Sequence, residues 1–73
     1  MFTVISYETA EFEIYMRVER GSRARAMYHA RRRAQYWEQE ITCFQILGEG
    51  LSYESAMALL QTAQPWEGVK VML

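Results

Sequence analysis

At 73 residues, 51% hydrophobic and 23% charged, with five Tyr, three Phe and two Trp, the chain has room for one domain (1–73) with one modest core, and lies far from the composition of disorder. The single Cys43 excludes an internal disulfide, and one Cys and one His without any Asp fall short of a four-ligand zinc site, so no metal, cofactor or redox role is expected. No apolar run approaches 18 residues and the N-terminus enters an alternating pattern instead of a signal-like segment, so a soluble, cytoplasmic protein without membrane contact is expected.

Met1 to Tyr7, MFTVISY, is β-branched and aromatic and reads as a strand. Glu11 to Arg20 alternates, with Phe12, Ile14, Met16 and Val18 on one face and Glu11, Glu13, Tyr15, Arg17 and Glu19 on the other. These two strands form a hairpin. Its connector near Glu8 to Ala10 lacks Gly, Asn and Pro, which predicts a loop longer than a tight two-residue turn.

Gly21 to Ile41, GSRARAMYHARRRAQYWEQEI, reads as one long helix with Ser22 as N-cap. Met27, Ala30, Ala34, Trp37 and Ile41 form a narrow apolar stripe at helical spacing, and Arg25, His29, Arg32 and Tyr36 line the opposite side. Thr42 to Leu47 is a short strand closed by Gly48-Glu49-Gly50. Ser52 caps a second helix, Tyr53 to about Gln64, with Ala56, Leu59, Leu60 and Ala63 at core spacing, and Pro65 stops it. Gly68 to Leu73 alternates again as a last strand. The order ββαβαβ predicts a small single α+β domain with a mainly antiparallel sheet, a long basic helix and a second short helix, the helices on one face and the other face wet. In that arrangement Met27, Ala30, Ala34 and Trp37 pack against Phe12, Ile14, Met16, Val18, Phe44 and Ile46.

The net charge of −1 conceals an uneven distribution, because seven of the eight basic residues fall between Arg17 and Arg33 with acids on both flanks. None of Arg23, Arg25, Arg31, Arg32 or Arg33 has a Glu three or four positions away on the helix, so their charge must be met by another element or another molecule. Guanidinium groups pair with phosphates and carboxylates and stack on aromatic rings, and Tyr28 and Tyr36 interleave with them. Arg25, His29, Arg31, Arg32 and Arg33 with Tyr28 and Tyr36 are therefore the candidate partner-binding surface. It suits nucleic acid or an acidic surface on a protein or ribonucleoprotein complex. Nine glutamates and a net negative charge favour the protein or ribonucleoprotein, since a nucleic-acid binder of this size is usually basic overall. His29 is the one side chain that titrates near neutrality, but an exposed histidine on a basic face is the plainer reading. Cys43 reads as a small strand hydrophobe, Met16, Met27 and Met57 as core, and Trp66 as cover for a turn or an anchor for a partner. No catalytic residue is assigned and no enzyme is expected.

From Tyr15 to about Gln61 the chain resembles a GIY-YIG nuclease domain, whose fold also runs hairpin, helix, strand, helix. Tyr15 stands where the second motif's tyrosine would be, Arg25 resembles the helix arginine that contacts the scissile phosphate, and His29 matches a residue often found one turn on. Residues 44 to 56, FQILGEGLSYESA, are similar to the strand-turn-helix before the family's metal-binding glutamate. The motif glycine is missing from Tyr15-Met16-Arg17, no GIY-like triplet precedes it, and the glutamate's place falls near Leu60 or Gln61. The resemblance therefore implies a relative lacking the family's Mg²⁺ ligand. In style the chain also resembles the small phage-encoded anti-CRISPR proteins, with one compact α+β unit and one strongly charged surface. That resemblance implies inhibition by occlusion of a host defence protein or ribonucleoprotein.

Overall fold

The computed structural model describes residues 1–71. Four strands, β1 (Phe2–Thr9), β2 (Ile14–Arg20), β3 (Ile41–Leu51) and β4 (Val69–Val71), form one sheet in the order β2-β1-β3-β4, every neighbouring pair antiparallel. Two helices, α1 (Arg23–Tyr36) and α2 (Tyr53–Thr62), and a 3-10 turn at Pro65–Glu67 complete the ββαβαβ order. Of the last strand expected over 68–73, Val69–Val71 is observed, and Met72 and Leu73 lie outside the described residues.

The register divides the sheet into two faces. Thr3, Ile5 and Tyr7 pair with Glu19, Arg17 and Tyr15 on β2, and Ile5 and Tyr7 pair with Ile46 and Phe44 on β3, so these side chains share one face. Phe2, Val4, Ser6 and Glu8 share the other with Arg20, Val18, Met16 and Ile14. Helix α1 covers the first face: Ala26 and Ala30 join Ile5, Tyr7, Phe44 and Ile46 in one buried cluster. Helix α2 and the 3-10 turn cover the second. Tyr53 packs edge-on to Phe2, a Cβ on Gly48 would lie 2.8 Å from Leu59 Cδ2, and Ser6 Oγ donates to the Pro65 carbonyl at 2.7 Å.

The sheet is thus sandwiched between helices, and the expectation of one wet face is overturned. The alternation in β2 separates two faces correctly but assigns α1 to the wrong one. Tyr15, Arg17 and Glu19 lie under α1, while half-buried Met16 and Val18 lie on the α2 face. Phe12 is outside the strand altogether. It sits at the hairpin tip with φ 65° and is 84% exposed, in a turn closed by the Phe12 N–H to the Thr9 carbonyl at 2.9 Å. Ile14 is exposed as well.

Helix α1 is shorter than expected. Ser22 caps its N-terminus through Oγ, as its hydroxyl predicts, but the helix ends at Tyr36 instead of Ile41. Glu38 takes a left-handed conformation (φ 55°), and the Glu38 and Gln39 N–H groups donate back to the Gln35 and Ala34 carbonyls at 3.0 and 2.8 Å. This is a Schellman turn with glutamate where glycine is usual. Past it the chain changes direction, which leaves the cap residue Trp37 66% exposed and turns Ile41 into the start of β3. The buried stripe of α1 is Ala26, Ala30 and Ala34, with Met27 half-buried beside it. Strand β3 also runs on through Gly48-Glu49-Gly50 to Leu51, because a register shift absorbs the glycines without ending the pairing with β1.

These placements fix two outcomes measurable by chemical denaturation. Phe44→Ala should cost about 3–5 kcal/mol as a fully buried aromatic, whereas Trp37→Ala should stay within about 1 kcal/mol. Glu38→Gly should stabilise the domain by about 1 kcal/mol, by removing the left-handed penalty of a residue with a Cβ.

Candidate functional site

The alanine stripe determines where the long side chains of α1 go. With Ala26, Ala30 and Ala34 against the sheet, Arg25, Tyr28, Arg32 and Tyr36 fall on the outer side and are exposed. Arg25 lays its stem back on Gly21: a Cβ at position 21 would lie 2.9 Å from Arg25 Cδ, so glycine at φ 103° makes room for it. Arg32 sits one turn from Tyr28, with its guanidinium 5.9 Å from the ring centroid and Nη1 donating to the phenol oxygen at 3.1 Å. His29 is half-buried, with its ring edge-on to Tyr28. Tyr36 and Trp37 pack edge-to-face at 5.1 Å and are both exposed.

Of the expected interface residues, the structure brings Arg25, Tyr28, Arg32 and Tyr36 to one outward surface with His29 at its margin. It does not keep Arg31 and Arg33 there. Arg31 is exposed but turns toward β3, its guanidinium 5.2 Å from the Phe44 ring centroid. Arg33 is half-buried, and its Nη1 donates to Glu19 Oε2 at 2.6 Å. Arg23 is likewise paired with Glu49 Oε2 at 2.6 Å. Another element thus neutralises two of the helix arginines. Arg25, Arg31 and Arg32 have no carboxylate oxygen within 4.0 Å among the described residues.

On the β2 side of α1 lies a feature that sequence reasoning misses, a cleft of about 340 Å³ lined by Tyr7, Tyr15, Arg17, Arg33, Trp37 and Gln39. Tyr7 and Tyr15 stack at 5.4 Å, Gln39 Nε2 donates to the Tyr15 hydroxyl at 3.1 Å, and Arg17 Nε approaches the Tyr7 hydroxyl at 3.5 Å. Its signal in the chain is the set Tyr15 and Arg17 on one strand face. Reading that face as wet conceals it, and reading Trp37 as core removes the third wall.

Acids gather at the C-terminal end of α1. The Ala10 N–H donates to the Glu40 carbonyl at 2.8 Å and Gln39 Nε2 reaches Glu13 Oε1 at 3.4 Å, so Glu11, Glu13, Glu38 and Glu40 border one end of the molecule. His29 and Cys43 are set on opposite sides of the sheet, since Cys43 pairs with Glu8 on the α2 face, and no group of three His, Cys or Glu that could hold a metal ion occurs among the described residues. No helix among the described residues is long and apolar enough to cross a membrane. No protein-family model, curated protein or solved structure matches this chain.

The two ion pairs differ in burial, and their removal should differ accordingly. The Glu19 side chain is 10% exposed, so Arg33→Met strands a carboxylate and should cost about 1–3 kcal/mol. Both partners of Arg23–Glu49 are nearly half exposed, and Arg23→Met should cost under about 1 kcal/mol in the same denaturation measurement.

Proposed function

We propose that the protein is a non-catalytic inhibitor or adaptor that seats the outer face of α1 on an acidic surface of a protein or ribonucleoprotein target and acts by occlusion, as small phage-type counter-defence proteins do. One observation carries this reading: Arg25 and Arg32 lack carboxylate partners among the described residues and share the outer side of α1 with the exposed aromatics Tyr28 and Tyr36, next to exposed Trp37. Arginine, tyrosine and tryptophan are the residues that dominate binding energy at protein interfaces. The separation of His29 from Cys43 by the sheet supports a binding role over nucleophilic catalysis.

The charge pattern of α1 supports function over stability. The first turn has no acid and holds Arg23 and Arg25, against the positive end of the helix dipole, while Glu38 and Glu40 follow the negative end. Such placements cost about 0.3–1 kcal/mol each when exposed. Bare nucleic acid fits less well, because a phosphate chain following the arginines along α1 would run into Glu11, Glu13, Glu38 and Glu40.

The dipole argument yields a test in which stability and binding move in opposite directions. Arg25→Glu places an acid in the first turn, so it should leave the melting temperature unchanged or raise it by a few degrees. In affinity capture from source-cell lysate, the same variant combined with Arg32→Glu should lose a stoichiometric partner that the native chain retains after nuclease treatment. Loss of that partner on nuclease treatment, together with gel retardation of bare RNA or DNA at physiological salt, would overturn the reading.

A further inference from the structure

We propose that the cleft between β2 and the C-terminal end of α1 binds a nucleoside 5′-monophosphate, free or at the end of a strand, with Arg17 on the phosphate and Tyr15 and Trp37 against the base. This site borders the outer face of α1 at Trp37 but does not rest on the reading of that face.

The volume, about 340 Å³, lies at the lower end of the roughly 300–1,000 Å³ range of ligand pockets, which suits one nucleotide. Three of its six lining residues are aromatic: Tyr15 is stacked on Tyr7 with the rings inclined by 29°, and exposed Trp37 joins them from the helix end. Flat apolar walls of this kind hold a planar ring, since any base offers a π face. The cleft's positive charge belongs to Arg17. Arg33 also lines it, but its charge is cancelled by Glu19. Arg17 donates its Nε to the Tyr7 hydroxyl and holds its guanidinium 6.0 Å from the Tyr15 ring centroid, and its two Nη groups have no hydrogen-bond partner among the described residues. A guanidinium with both terminal nitrogens free presents the fork that takes two phosphate oxygens.

The charge of the cleft suits the phosphate end of a nucleotide. Arg17 lines it, whereas Glu13 does not and is reached only through the lining Gln39, whose Nε2 also donates to the Tyr15 hydroxyl. An anionic group therefore belongs beside Arg17. A cationic ligand would be repelled by Arg17, and a bare phosphate or carboxylate would leave the aromatic walls in water.

The experiment is a titration of ¹⁵N-labelled protein, followed at the Trp37 indole N–H and the Gln39 side-chain amide, with guanosine 5′-monophosphate, guanosine and inorganic phosphate. The monophosphate is expected to shift both signals saturably with Kd below about 1 mM, and each half-ligand to bind at least about tenfold more weakly. Arg17→Gln should weaken the monophosphate about tenfold or more, Arg17→Lys less so because it keeps the charge without the fork, and Arg25→Ala should have no effect. Unchanged melting temperatures in the Arg17 variants confine the loss to the site. A 5′-phosphorylated trinucleotide that binds more tightly than the monophosphate, with the same dependence on Arg17, assigns the site to a strand end; weaker binding assigns it to the free nucleotide. No saturable shift up to about 10 mM, equal affinity for inorganic phosphate, unaltered binding in Arg17→Gln, or shifts centred on Arg25 to Arg32 would each overturn the proposal.

Discussion

The close seating of α1 on the sheet is the constraint from which the rest of the molecule follows. Alanines at positions 26, 30 and 34 put almost no side chain between helix backbone and sheet, so the filling comes from the strand side, from Ile5, Tyr7, Phe44 and Ile46. A helix this close cannot bury long side chains beneath itself. They must leave along its flanks or point outward. Two of the flanking arginines then find acids on the strands they overhang, Glu19 on β2 for Arg33 and Glu49 on β3 for Arg23, while Arg31 turns onto the Phe44 ring. Those pointing outward find none, and so the same packing that builds the core also creates the unpaired basic face.

What can be read from the chain alone follows the strength of each local signal. Element order, the Ser22 and Ser52 caps and the strand pairing all rest on strong cues: β-branched runs, hydroxyl side chains before helical segments, and a pattern that alternates by two. Which helix covers which face is not legible, because alternation distinguishes two faces without ranking them when both are apolar. Tyr15 and Arg17 look polar in sequence, yet their rings and stems are apolar enough to lie beneath α1. The alanine stripe is half hidden for a related reason. Alanine carries little hydrophobic weight, so a stripe counted from Met27 draws in Trp37 and leaves out Ala26. Arg33 reads as interface because no acid lies near it in sequence, and its partner Glu19 is brought to it only by the hairpin and the crossover into α1.

The end of α1 shows why some boundaries stay hidden. Glycine is the usual signal for a left-handed cap, and here glutamate occupies that conformation. A chain selected only for stability would place glycine at this position. The hairpin tip repeats the pattern, with bulky Phe12 left-handed and exposed where glycine or asparagine would be unstrained. Both non-glycine residues of positive φ among the described residues therefore lie at the same end of the molecule, where the β1–β2 loop meets the C-terminal end of α1. Strain of this kind concentrates at sites that use it.

The strained turn also ties the two surfaces of α1 together. Ala34 accepts from Gln39 and Gln35 accepts from Glu38, so the path of residues 37 to 39 is set by the helix end itself. That path exposes Trp37 beside Tyr36 on one side and carries Gln39 down to the Tyr15 hydroxyl on the other. Trp37 consequently belongs to both the outer aromatic surface and the wall of the cleft. A macromolecule seated on the outer face and a ring held in the cleft would both meet the Trp37 indole. Physical coupling between the two surfaces therefore requires no change of fold. The orientation of one cap residue is enough, and the turn that governs it is one of the two places where the backbone is strained.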